Sequence, residues 1–174
     1  MRKSLKIGKL DAAKRQIECA ITLYFNEHDP VSIHTLSSAA YNVLRNLSNG
    51  KVRMLKDRIE DHIRPGMETV ARELLNRYEN FFKHANRDPD GVLDFNPDAT
   101  EIFLWEACRT YRELTGENPE KMIAYNVWFT NKNNDFFVFN EEERYQANVT
   151  RSVLSTTSKR EYFSLMLIAL NQID

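Results

Sequence analysis

The chain has 174 residues, 42% hydrophobic and 28% charged, with five glycines and five prolines, which excludes disordered, collagen-like and disulfide-scaffold classes. At this length one core suffices, because folding buries roughly 70% of the unfolded surface. The net charge of −1 conceals a division: residues 1–87 carry 16 Lys and Arg against 10 Asp and Glu, whereas residues 88–146 carry 5 against 13. One part of the chain therefore suits an anionic partner, or the acidic part of a second copy.

Cys19 and Cys108 fall among apolar residues of predicted helices with no paired spacing, which points to reduced, buried thiols in a cytoplasmic protein. Residues 1–9 read as a flexible basic N-terminal segment without the apolar run of a secretory signal. The apolar run Tyr162 to Leu170 falls far short of the ~20 residues that span a bilayer, so no membrane partner is expected.

In chain order, Leu10 to Asn26 places Leu10, Ala13, Ile17, Ala20 and Leu23 or Tyr24 on one side of an amphipathic helix. Asp29-Pro30 supplies an N-cap and a first-turn proline for a second helix, Val31 to about Leu47, with a core face of Ile33, Leu36, Ala40, Val43 or Leu44, and Leu47. Ser37 to Ala40 are small enough for a neighbouring helix to come close, and the first two helices are expected to form an antiparallel hairpin. His34 reads as a buried, hydrogen-bonded histidine and His28 as a loop residue. Ser48-Asn49-Gly50 stops the second helix, and Lys51 to Arg64 reads as a short, mostly solvated helix in which Glu60, Asp61 and His62 point apart.

After Pro65-Gly66, the stretch Met67 to Asn96 is expected to organise the fold, with Val70, Leu74, Tyr78, Phe81 and Ala85 on one buried helix face. Asn96-Pro97 opens the next helix, with Asp98 and Glu101 in its first turn, favourable to the helix dipole. Ile102 to Leu114 is apolar on more than one side and is expected to be the most buried helix. Gly116 ends it, and Pro119 starts another carrying Met122, Ala124, Tyr125, Val127, Trp128 and Phe129. Asn131 to Gln146 reads as a loop in which Phe136, Phe137 and Phe139 cover the core. A last helix from about Ser158 to Gln172 carries Tyr162, Leu165, Met166, Ala169 and Leu170. The whole is expected to be a single-domain, all-α bundle of six or seven helices, with aromatic surface enough for self-association.

Chemistry concentrates near the end of the central helix. Arg77, Asn80 and His84 lie three and four residues apart, forming a polar stripe beside the apolar face, with the cations Lys83 and Arg87 next to it. A guanidinium, an amide and an imidazole in one row can hold a phosphate and move a proton. This stripe in an all-helical setting resembles the HEPN domains, whose active members carry an arginine followed four to six residues later by a histidine, often as Arg-Asn-x-x-x-His. Asn80-Phe81-Phe82-Lys83-His84 matches the Asn-x-x-x-His portion; Glu79 precedes the asparagine, so the arginine role passes to Arg77. The resemblance implies metal-independent RNA cleavage or non-catalytic RNA binding, usually in a homodimer. It assigns Arg77, Asn80 and His84 to catalysis, Lys83 and Arg87 to nucleic-acid binding, and requires no cofactor.

Two other readings stand beside it. The chain can be a non-enzymatic helical module that binds a protein partner. Residues 86–97 also reproduce nine positions of a calcium-binding helix-loop-helix, with oxygen ligands at Asn86, Asp88, Asp90 and Asp94 and Gly91 at the sixth place, but Pro97 where a bidentate glutamate belongs. No glycine-rich phosphate loop, nucleophile elbow or Cys-x-x-Cys pair occurs.

Overall fold

The computed structural model describes residues 4–53, 68–133 and 140–172. Among them are seven helices and no strand: α1 (Lys9–Phe25), α2 (Pro30–Ser48), α3 (Glu68–Lys83), α4 (Asp98–Thr115), α5 (Glu120–Lys132), α6 (Glu141–Leu154) and α7 (Lys159–Leu170). The all-α bundle expected from composition and periodicity is the fold observed. No helix among the described residues is long and apolar enough to cross a membrane.

The helix boundaries follow local chemistry. Asp29 accepts a hydrogen bond from the Ser32 N–H at 2.7 Å and Pro30 occupies the first turn, so α2 starts where the Asp-Pro pair places it. Left-handed Asn49 (φ 45°) ends it. Gly116 (φ 74°) ends α4 with its N–H on the Arg112 carbonyl. The end of α1 is less ordinary: Glu27 takes a left-handed conformation (φ 54°), the His28 N–H reaches back to the Leu23 carbonyl, and the Glu27 N–H reaches that of Tyr24. This is a Schellman closure with glutamate where glycine is usual.

α1 is the hub. It packs on α2, α4, α5 and α7, and its Ala13, Ile17, Ala20, Ile21 and Phe25 are fully buried. Phe25 stacks on Phe163 of α7 at 4.6 Å and meets Tyr24, Tyr125 and Trp128 edge-on. α4 carries nine buried residues, more than α1, α2, α5 or α7, in keeping with its two-sided apolar pattern. Glu106, 1% exposed, pairs there with Arg109, whose guanidinium also holds the Arg53 carbonyl at 2.9 Å.

Among the described residues α3 packs on α2, whereas α1 meets four helices, so α1 takes the organising place expected of Met67 to Asn96. An aromatic box anchors it: the edges of Tyr78, Phe82, Phe95 and Phe103 surround the buried His34 ring at 5.4–5.8 Å, and His34 Nδ1 bonds Thr100 Oγ1 at 2.9 Å. Ala85 lies beyond the helix end and is exposed, against expectation. The expectations for Val70, Leu74, the helix at 51–64 beyond Arg53, and the phenylalanines at 136, 137 and 139 lie outside the described residues or side chains.

Four further expectations change. Glu141 to Gln146 is helix, because successive glutamates at the start of α6 favour its dipole as well as they would a solvated loop. On α7 the buried pair is Tyr162 and Phe163, while Leu165 and Ile168 are each 57% exposed and Ala169 is exposed, since stacking on Phe25 sets the rotation. Leu47 is exposed, and His34, Ser37, Ser38 and Tyr41 join the expected Ile33, Ala40 and Leu44 on the inner face of α2. Cys19 is exposed, whereas Cys108 is buried and burial pushes its thiol up.

Candidate functional site

Arg77 and Asn80 are exposed on successive turns of α3. His84 follows the last helical residue, yet its N–H still bonds the Asn80 carbonyl at 3.1 Å, so the turn continues and the half-buried imidazole keeps the stripe's face. The Arg87 N–H returns to the His84 carbonyl at 3.1 Å, which holds the exposed Arg87 in the turn just beyond. Arg77, Asn80 and His84 thus follow one another on successive turns at the C-terminal end of α3, with Arg87 in the turn beyond. Arg77 has no ion-pair partner among the described residues.

Lys83 and Glu79 behave differently from a plain reading of the sequence. Glu79 is 12% exposed and turns toward α2, where Asn42 Nδ2 donates to it at 2.5 Å and Lys83 forms an ion pair with it one helical turn away. The Glu79 carboxylate is therefore held by Asn42 and paired with Lys83. The turn 84–97 is tied back to α3 by the Asn96 N–H on the Tyr78 hydroxyl at 3.3 Å. Within it, Asp88, Asp90 and Asp94 are exposed, and no group of three His, Cys, Asp or Glu among the described residues can hold a metal. The calcium reading of 86–97 is not supported by this donor set.

A second polar centre was not singled out from the sequence. Glu101, placed by the pattern in the first turn of α4, is 6% exposed. Its Oε1 accepts from the Tyr24 hydroxyl at 2.6 Å, both oxygens accept from Lys132 Nζ at 2.8 Å, and its backbone carbonyl accepts from the Tyr125 hydroxyl at 3.0 Å. Burial pushes the Tyr24 and Tyr125 phenols well above the ordinary tyrosine range, with the nearby Glu101 charge adding to both. Glu101 opens on a cleft of about 200 Å³ between the α1–α2 turn and the starts of α4 and α7, lined also by Glu27, His28, Asp98 and Lys159. The available signal was a carboxylate at a core phase of an apolar helix, with a lysine closing the equally apolar α5.

No family model matches the chain, and no curated protein or solved structure matches it.

Proposed function

We propose that this chain acts on RNA through the surface at the end of α3, as a nucleic-acid-associated helical protein of the HEPN kind. The observation that carries the reading is the placement of Glu79, which bonds Asn42 of α2 and pairs with Lys83 on its own helix, beside the exposed Arg77, Asn80 and Arg87 and the half-buried His84. Arg77 would stabilise charge on a phosphate going five-coordinate, with Asn80 and Arg87 orienting it. His84 would take the 2′-hydroxyl proton; the 2′ oxygen then attacks phosphorus, and the 5′ oxygen leaves with a proton from water. The products are a 2′,3′-cyclic phosphate and a 5′-hydroxyl. A second copy packed α3 to α3 would bring two such rows to one strand.

The test is cleavage of RNA by the purified chain in EDTA, beside a His84→Ala variant of matched thermal stability. Wild-type protein should cut, and the variant should be slower by about 10²–10⁴-fold. Binding without cleavage by either protein would leave a non-catalytic RNA binder. Neither binding nor cleavage would sink the reading.

A second reading, a helical protein-interaction module, is favoured by apolar side chains on α6 and α7. Tyr145 is 66% and Val149 45% exposed one turn apart, and Leu165 and Ile168 are paired likewise. If that surface mediates association, Ile168→Asp should abolish concentration-dependent self-association in sedimentation while leaving RNA binding intact.

A further inference from the structure

Two exposed segments of opposite charge lie at opposite ends of the bundle. Before α1, Ser4 to Gly8 run outside any helix, and Leu5 and Ile7 there are 73% and 48% exposed. Lys6 is exposed between them, and Lys9 follows as the first residue of α1. Residues 1–10 carry four cations in all, and the first carboxylate in the chain, Asp11, is taken by Arg15 Nε at 2.9 Å. The turn that leads into α4 is the counterpart. Asp88, Asp90 and Asp94 are exposed there, Val92 among them is 96% exposed, and neither Lys nor Arg occurs between Arg87 and Arg109. Neither Lys6 and Lys9 nor the three aspartates make an ion pair among the described residues.

The fold keeps these segments apart within one copy. Lys14, early in α1, meets Glu117 just beyond α4 at 2.9 Å, whereas Tyr24, near the end of α1, meets Glu101 in the first turn of α4 at 2.6 Å. α1 and α4 are therefore antiparallel, with residues 4–8 at one end and the turn 84–97 at the other. The 17 residues of α1 span about 25 Å, while three residues of chain carry Lys6 at most about 10 Å beyond Lys9. Lys6 and Lys9 thus face that turn only across two copies.

We propose that the segment before α1 of one copy docks on the 88–94 turn of a second copy, Lys6 and Lys9 pairing with Asp90 and Asp94 and Ile7 covering Val92. An apolar side chain flanked by two cations meets one flanked by two carboxylates. Because the two surfaces differ, the contact is heterologous and repeats head to tail into a ring or a chain of copies. None of these residues belongs to the RNA-facing row, so the inference stands apart from that reading.

Sedimentation of the full chain at roughly 0.1–1 mM tests it, the range suited to a small charged interface. The wild type should self-associate in about 0.05 M sodium chloride and about tenfold more weakly in about 0.5 M, where charges are screened beyond about 5 Å. Lys6→Glu with Lys9→Glu should remove the association, and so should Asp90→Lys with Asp94→Lys. An equimolar mixture of these two variants should restore it, since an acidic segment then meets a basic turn. Val92→Ser should weaken it by about threefold or more, and Ile168→Asp should leave it unchanged. All four reversed residues are exposed, so the variants should melt as the wild type does. A wild type that stays monomeric, a reversed variant that associates like wild type, or a mixture that stays monomeric would each overturn the proposal. Loss on Ile168→Asp would overturn it too, placing the contact on α7 instead.

Discussion

Glu79 and Glu101 each bond a lysine and a neutral donor and have similar side-chain exposure, 12% and 8%. They differ in where those partners come from. Lys83 is one turn from Glu79 on the same helix, so that pair forms within α3, and Asn42 joins it to α2. Lys132 and Tyr24 reach Glu101 from α5 and α1, so one carboxylate ties three helices together. A local pair settles a charge within one helix, whereas a long-range one holds the bundle's geometry.

Breaking the long-range centre should have the largest effect. Glu101→Ala strands the Tyr24 hydroxyl and removes the counter-charge of Lys132, which at 41% exposure retains part of its hydration; we expect a loss of about 2–4 kcal/mol in urea unfolding. Wild-type stability in that variant would show that the network holds nothing together. Glu79→Ala should cost less, about 1 kcal/mol, because its ion pair lies within one helix and Lys83 is 39% exposed. By releasing Lys83 beside the row, the same change should tighten RNA binding a few-fold at low salt, and weaker binding would contradict the role given to Glu79.

The strained glutamate at the rim of the Glu101 cleft sharpens the contrast further. Glu27→Gly relieves a left-handed φ of 54° and should raise stability by about 0.5 kcal/mol in the same unfolding assay. A loss there would mean that the Glu27 side chain stabilises the turn.

A third carboxylate completes the series at the solvent end and should show the smallest effect. Glu117, 57% exposed, accepts from Lys14 at 2.9 Å and from the Tyr111 hydroxyl at 2.8 Å, and the Lys14 hydrogen bond holds its carboxyl below the usual range. A depressed folded value means that its contribution is fully present above the unfolded value near 4.3 and is lost as pH falls through the folded one. Lys14→Met should therefore lose slightly less melting temperature than wild type between neutral pH and pH ~3. An identical acid response in the two proteins would remove the pair from the stability account.

Much of the fold was legible because its signals are local. Asp29-Pro30, Asn49 and Gly116 mark helix ends wherever they occur, since capping and left-handed backbone depend on a few neighbouring residues. The inner face of α1 was read from Ala13, Ile17 and Ala20 for a similar reason: one helix period suffices. α6 was missed because a run of glutamates stabilises a helix N-terminus and a solvated loop equally well. Cys19 was assigned to the core from its apolar neighbours in sequence, but side chains adjacent in a helix point about 100° apart. Of the candidate site, the row Arg77, Asn80 and His84 was legible from helical spacing; the disposal of Glu79 was not, since Asn42 lies on another helix.

The sequence by itself determined an all-helical chain, most of its helix ends and the periodic stripe on α3, because these follow from spacing, capping and backbone preference over a few residues. Only the tertiary structure decided that α1 is the hub, that Phe25 and Phe163 set the rotation of α7, and that Lys132 and Tyr24 converge on Glu101. The physical reason is that a polar group's cost or value in a fold depends on which partners packing brings to it, and residues 24, 101 and 132 meet only once α1, α4 and α5 have packed.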